Sequence, residues 1–168
     1  MRCWPLKLAQ AETEEERERR LMVDYAMCFV GTWYSWGGDD PAGFDCSHFV
    51  WEVLKAIGRD PSKDDSTWAQ RLFNQFQNNT FIKTPEAIAD SPRAGYLMFC
   101  RQKSDGKIFH VELCVDEKRT VGASGGGSKT VTKEDAIRDN AFIKMRPIEG
   151  RWNRAKVELV FVDPWKAA

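Results

Sequence analysis

Residues 31–57 read GTWYSWGGDDPAGFDCSHFVWEVLKAI, and the change of pattern at Asp45 decides the fold. Up to Phe44 the stretch is dense in Gly, Trp and Pro. This composition marks an ordered loop, because the aromatics need burial while the glycines permit tight turns. From Asp45 onward the pattern is helical. Asp45 is a good N-cap, Phe49, Val50, Val53, Leu54 and Ile57 form one apolar face, and Gly58 stops the helix.

Working outward, residues 12–30 predict an earlier helix. Glu15/Arg19 and Glu16/Arg20 are acid-before-base pairs four apart, and Leu21, Met22, Tyr25, Cys28 and Phe29 supply an apolar stripe. The charged run reads as a solvated face. A shorter helix is expected over 67–76, after the polar run DPSKDDS at 60–66. Strand signals begin after Pro92: 95–100, a hairpin around Asp105-Gly106, 108–115, a turn at 116–119, and 120–124, which Gly125-Gly126-Gly127 cuts short. Residues 142–146 and 157–162 read as closing strands. Helices first and an antiparallel β-sheet afterwards make an α+β fold, with the N-terminal helices packed on the sheet. The expected division is an N-terminal extension over 1–11 and a single domain over 12–168.

Bulk properties narrow the function classes. A chain of 168 residues can bury one core. With 25 basic and 25 acidic residues the net charge is zero, so no electrostatic grip on nucleic acid or anionic lipid is expected. Aromatic content is 12%, with seven Trp, which suits a groove for sugars or peptides and equally an ordinary core. Five Cys without CxxC pairing point to free thiols, and two His without metal-ligand spacing give no metal site. The N-terminal residues are too short and interrupted for a signal h-region, and no apolar run is long enough to span a membrane. Synthesis and retention in the cytoplasm are expected unless another route exports the protein.

Cys46 has a setting that the other cysteines lack. It follows the N-cap, in the first turn of a helix, where unpaired N–H groups and the positive dipole end favour a thiolate. The same N–H groups can stabilise the oxyanion of an acyl-transfer transition state. From position alone, a buried thiol packing beneath the loop is an equally good reading. A nucleophile needs a base. His48 lies two residues along the same helix, facing elsewhere, and is expected to line the groove or face solvent. His110 lies in the strand IFHVELCV, where alternation puts His110, Glu112 and Cys114 on one face and Val111, Leu113 and Val115 on the other. His110 is therefore the candidate base, and a solvent-facing histidine is the alternative.

The blocks Tyr34-Ser35-Trp36-Gly37-Gly38 and Gly43-Phe44-Asp45-Cys46-Ser47 resemble the YxWGG and GxDCSG signatures of the NlpC/P60 family of papain-like cysteine peptidases. His110-Val111 and the strand after it resemble that family's HVxIY segment. Pro92-Arg-Ala-Gly-Tyr-Leu is similar to its PGDL strand start, and Gln70 falls near its helix Gln. The resemblance runs over roughly residues 20 to 125. It implies a papain-like core and a thiol protease, without metal or organic cofactor, that hydrolyses peptidoglycan stem peptides between γ-D-glutamate and a diamino acid. Cys46 would be the nucleophile and His110 the base. Tyr34 would lie beside them, and Asp45 and Ser47 would recognise the amine end of the stem. Trp36 and His48 complete the expected substrate-binding set, and Asp45 also has its purely structural capping role.

Three positions depart from the family pattern. His48 stands where the family has Gly, and Tyr96 where it has Asp. The third polar residue, usually His, Asn or Gln about twelve residues after the base, falls on Gly122. Glu112 is then the first candidate to orient His110, although side chains at i and i+2 on a strand are expected to stand parallel and apart. Ser124, a water and a main-chain carbonyl are the other candidates. The expected protein is a monomeric cell wall hydrolase, such as a phage or prophage lysin or tail-associated enzyme reaching the wall after release, injection or virion delivery. The alternatives are an amidase or acyltransferase of the same fold, and a catalytically weak binding protein that retains it.

Overall fold

A computed structural model describes residues 11–59, 69–78, 88–89 and 91–166. The expected N-terminal extension, apart from Ala11, the polar run at 60–66 and the expected helix start at 67–68 lie outside them, as does Cys3.

Helix α1 spans Glu14–Met27 and opens with a capping box, Thr13 and Glu16 exchanging side-chain and backbone hydrogen bonds. The loop that follows contains a two-strand ribbon, β1 (Asp39–Asp40) and β2 (Gly43–Phe44), paired antiparallel. Helix α2 is Cys46–Ala56 with Asp45 as its N-cap, and α3 is Ala69–Asn78. Then come β3 (Ile88–Ala89), β4 (Leu97–Gln102), β5 (Ile108–Cys114) and β6 (Arg119–Ser124). A short helix α4 (Lys133–Arg138) precedes β7 (Phe142–Pro147) and β8 (Val157–Val162). The α+β order expected from the sequence is what the structure has.

Strands β3 to β8 form a six-stranded sheet in the order β3-β8-β4-β5-β6-β7, every pairing antiparallel. Besides the β1–β2 ribbon inside the expected loop, two elements were not expected: β3, and α4 with its Thr132–Asp135 capping box. The box is a legible local signal, Thr132-x-x-Asp135, but the short segment behind it has little apolar periodicity.

The two faces of the sheet differ. Leu97, Phe99, Val111, Leu113, Val121 and Ile143 point at the helices and are fully buried with Phe49, Val50, Val53 and Leu54 of α2. Helix α2 packs on β5 and β6, so its first turn meets the middle of the sheet. On the opposite face, Met98, Cys100 and Cys114 join Leu159 and Phe161 in a second, smaller cluster. By strand alternation His110 and Glu112 of β5 and Thr120 and Ser124 of β6 lie on this second face. Of the described cysteines, Cys100 and Cys114 are buried, Cys28 is exposed, Cys46 is half-buried, and all four are free.

Candidate active site

Cys46 is the first residue of α2, and Asp45 fixes that helix start. Asp45 Oδ1 accepts hydrogen bonds from the Ser47 and His48 N–H groups at 2.9 Å each and from Ser47 Oγ at 3.0 Å. Two of the unpaired N–H groups of the first turn are thereby satisfied by the cap, while Asp45 leaves the Cys46 N–H to other acceptors. The preceding loop is locked by backbone hydrogen bonds from Ser35 to Phe44 and from Trp36 to Thr130. Tyr34 is buried in this loop, with its ring against Gly126: a Cβ there would come within 2.2 Å of Tyr34 Cδ1. Burial pushes the Tyr34 hydroxyl above its usual value, and the nearby Cys46 and Asp45 charges push the same way, so it stays protonated.

His110, on β5, meets Cys46 from the sheet side. Its Nε2 lies 2.9 Å from Glu112 Oε1, which leaves Nδ1 for the sulfur. Burial alone would push His110 down. The Cys46 sulfur and the Glu112 carboxylate, by charge and hydrogen bonding, outweigh burial and raise it well above the ordinary imidazole value. Glu112 is 1% exposed. Burial would push it up, but hydrogen bonds and charge from His110 and Arg151 hold it below the usual carboxylate range.

The i and i+2 side chains were expected to stand apart, and the 2.9 Å contact corrects that. The reason is Gly122. The ladder pairs Leu113 with Val121, which brings Gly122 to the flank of Glu112. A Cβ at Gly122 would lie 2.5 Å from Glu112 Cγ. The missing side chain is the space in which Glu112 bends back toward His110. Arg151 Nη2 donates to Glu112 Oε2 at 2.5 Å, and Thr120 Oγ1 donates to the same oxygen, so the carboxylate is held from three sides.

Cys46 sits where two lobes of a cleft meet, of about 450 and 250 Å³. Tyr34, Trp36 and Phe109 line both. The larger lobe adds His110, Ser124, Arg146, Arg151 and Trp152, and the smaller adds Asp45, Ser47 and Gln70. Gln70 Oε1 accepts the Ile108 N–H at 2.7 Å, tying α3 to the start of β5. Of the residues singled out from the sequence, the fold brings Cys46, His110, Glu112, Tyr34, Trp36, Asp45 and Ser47 together.

His48 is the correction. It lines neither lobe, because its ring folds back on the cap, with Nδ1 2.9 Å from Asp45 Oδ2. That nitrogen is close enough for an ion pair but lies off the line of a hydrogen bond. The residues sequence reading missed are Phe109, Arg146, Arg151, Trp152 and Thr120. Phe109 apart, no short motif surrounds them; only strand alternation on β6 and β7 would have put Thr120 and Arg146 on the face of Glu112.

The model of the NlpC/P60 family matches residues 31–146. Over 41 residues the chain is 49% identical to Probable peptidoglycan endopeptidase LytE of Bacillus subtilis (strain 168), a match covering 23% of this chain and 12% of that protein. Over 40 residues it is 52% identical to Protein P54 of Enterococcus faecium, covering 23% and 8%. The chain thus matches about a tenth of the length of these curated relatives. Among solved structures, the NlpC/p60 domain of peptidoglycan hydrolase SagA superposes with a TM-score of 0.53 at 24% identity, covering 86% of this chain and 97% of that one. A NlpC/P60 family protein from Bacillus cereus ATCC 10987 gives 0.57 at 18%, covering 83% and 38%. The peptidoglycan hydrolase RipB from Mycobacterium tuberculosis gives 0.52 at 19%, covering 88% and 67%. At these identities the structures attest the fold, and the family model covers most of the chain. The protein belongs to the NlpC/P60 family.

Proposed function

We propose that the protein is a cysteine peptidase that hydrolyses peptidoglycan stem peptides at the bond between γ-D-glutamate and a diamino acid. The observation that carries this reading is the line Cys46–His110–Glu112 at the junction of the two lobes. The Cys46 thiolate attacks the scissile carbonyl, and the Cys46 N–H, at the positive end of α2, faces the developing oxyanion. His110, kept protonated by its neighbours, gives its proton to the leaving amine. It then takes one from the water that releases the acyl group, while Glu112 holds the ring's orientation. Asp45 and Ser47 in the smaller lobe receive the amine end of the stem, and Trp36 and Tyr34 border its path.

A catalytically weak binding protein was suggested by Gly122 and by His48. The Glu112 contact supplies the orienting group that Gly122 lacks, and His48 lies outside both lobes. Both observations favour the enzyme. The setting carried with the proposal is a phage or prophage lysin or tail-associated hydrolase.

Digestion of purified peptidoglycan by the parent and by Cys46→Ala, with products read by mass spectrometry, tests the proposal. Free γ-D-glutamyl ends are expected from the parent alone. Equal digestion by the variant would show that Cys46 is not the nucleophile. An acylated thiol acceptor in place of a free acid would identify an acyltransferase.

A further inference from the structure

The larger lobe contains more positive charge than the reaction uses. Arg146 and Arg151 both line it beside Cys46 and His110. Arg151 spends Nη2 on Glu112, but its Nε and Nη1 are buried with no hydrogen-bond partner. Arg146 donates to Ser124 Oγ, and its Nε is likewise buried and unpartnered. Buried, unsatisfied N–H groups of a charged side chain are costly and rare in a native structure. Lys144 shares their face of the sheet, since it pairs with Gly122 while Arg146 pairs with Thr120. Glu112 is the carboxylate that these cations and His110 have in common.

The imbalance shows on the cations themselves. Burial pushes Arg146 below its usual value, and repulsion from Arg151 adds to it. Lys144 is pushed down by burial and then by Arg146. Trp152, with its ring 5.2 Å from the Arg151 guanidinium and 5.6 Å from His110, forms an apolar side of the same lobe, where charge interactions are screened less than in water. An anion would complete this arrangement.

We propose that Arg146 and Arg151 form a carboxylate subsite next to the nucleophile, which selects substrates with a free carboxylate close to the scissile carbonyl. The identity of that carboxylate rests on the reading given under Proposed function. A γ-linked glutamyl residue presents its side-chain carbonyl to Cys46 and keeps its α-carboxylate free at the end of a short aliphatic spacer. An α-linked peptide, or a glutamyl residue whose α-carboxylate is a carboxamide, lacks that charge. Planar guanidinium forks match a carboxylate in two-point geometry, which lysine or a hydroxyl would not. Arg151 would then serve two anions at once, the substrate's and Glu112.

Two isopeptides differing only in α-carboxylate or α-carboxamide on the γ-linked glutamyl residue test this with the full chain. The parent is expected to favour the carboxylate in kcat/KM by about tenfold or more, as a charged hydrogen bond predicts. Arg146→Met should bring the ratio toward one, and Arg146→Lys should fall between. Equal rates on the two isopeptides by the parent, or an undiminished ratio in Arg146→Met, overturns the subsite. If Arg146→Met does not fold, the parent's ratio alone decides. If neither isopeptide is cut, the peptidase reading fails separately, and binding decides the subsite. Saturable quenching of tryptophan fluorescence by glutarate in the parent, weakened in Arg146→Lys and lost in Arg146→Met, supports it. Absence of quenching, or tighter binding of inorganic phosphate than of glutarate, overturns it.

Discussion

The two walls of the cleft are built in opposite ways. On the helix wall, the start of α2 is set by neighbouring residues: Asp45 caps α2, Ser47 and His48 supply the N–H groups, and only the loop before them reaches further, through Tyr34 to Ala141 and Trp36 to Thr130. On the sheet wall, the orientation of His110 needs Glu112 on β5, Thr120 and Gly122 on β6, and Arg151 in the loop after β7. The start of the helix wall is a local motif, in which one change loosens only residues adjacent in the chain. The sheet wall is interlocked, in which one change displaces several partners. A wall of the second kind can exchange its orienting group between strands, provided that the position given up becomes small. Gly122 beside Glu112 has the geometry that such an exchange requires.

The largest expected effect follows from breaking the interlock at its centre. Glu112→Gln keeps the shape but loses the charge that His110 and Arg151 share. A fall in kcat/KM of roughly 10²- to 10⁴-fold is expected, the range in which loss of a triad's third member acts. Steady-state kinetics on a soluble isopeptide, with circular dichroism to confirm folding, measures it. A loss under about threefold would mean that Glu112 does not orient His110. Next is Gly122→Ala, whose Cβ would meet Glu112 Cγ at 2.5 Å. Overpacking of this kind costs about 1–3 kcal/mol, read by urea denaturation, and activity should fall because the carboxylate is the group that moves. If the two positions are one slot, Glu112→Ala with Gly122→Gln should exceed Glu112→Ala alone in activity. A double variant no better than the single one would break the idea of an exchange.

The same contrast explains what the sequence made legible. The first two helices (each end within three residues), the cap at Asp45, the strand alternation at His110 and the α+β order follow from spacing over a few residues, and the structure has them. The loop Tyr34–Phe44 and the Asp45-Cys46-Ser47 block were legible as a motif because they are contiguous. Glu112 was named, yet its approach to His110 was misjudged, because the space for it is created by a residue ten positions away on another strand. Arg146, Arg151 and Trp152 were missed for the same reason: single charged and aromatic residues far along the chain acquire a role only when β7 and β8 close the sheet. His48 was misplaced because residue order shows its position on the helix but not the pull of Asp45 on its ring.

A smaller effect is expected on the helix wall. Asp45→Ala removes an N-cap and frees the Ser47 and His48 N–H groups, at a cost of about 1 kcal/mol, with 2 as a high value. Asp45→Asn, which can still cap, should recover most of it. Equilibrium denaturation of both variants is the check. A loss beyond about 4 kcal/mol for Asp45→Ala would mean that this wall is interlocked as well, and the contrast between the walls would fail.

The smallest effect concerns pH, and it separates the walls by charge. His110 is raised in the folded protein, so its contribution to stability is complete below about 6.5, its unfolded value, and is lost as pH rises through the raised one. Glu112 is lowered, so its contribution is present above about 4.5 and is lost as pH falls through its folded value. The pair therefore gives the parent a stability plateau from weakly acidic to alkaline pH, with an alkaline decline set by His110. Glu112→Gln removes part of what raises His110, so its decline should begin at lower pH, by a shift of a few degrees or less in melting temperature at any one pH. Asp45→Asn lies outside this network and should leave the alkaline decline where the parent has it. Melting curves from pH 5 to 10 compare the three proteins. If Glu112→Gln and the parent decline in parallel, the carboxylate does not set the charge of His110, and the sheet wall orients the imidazole by shape alone.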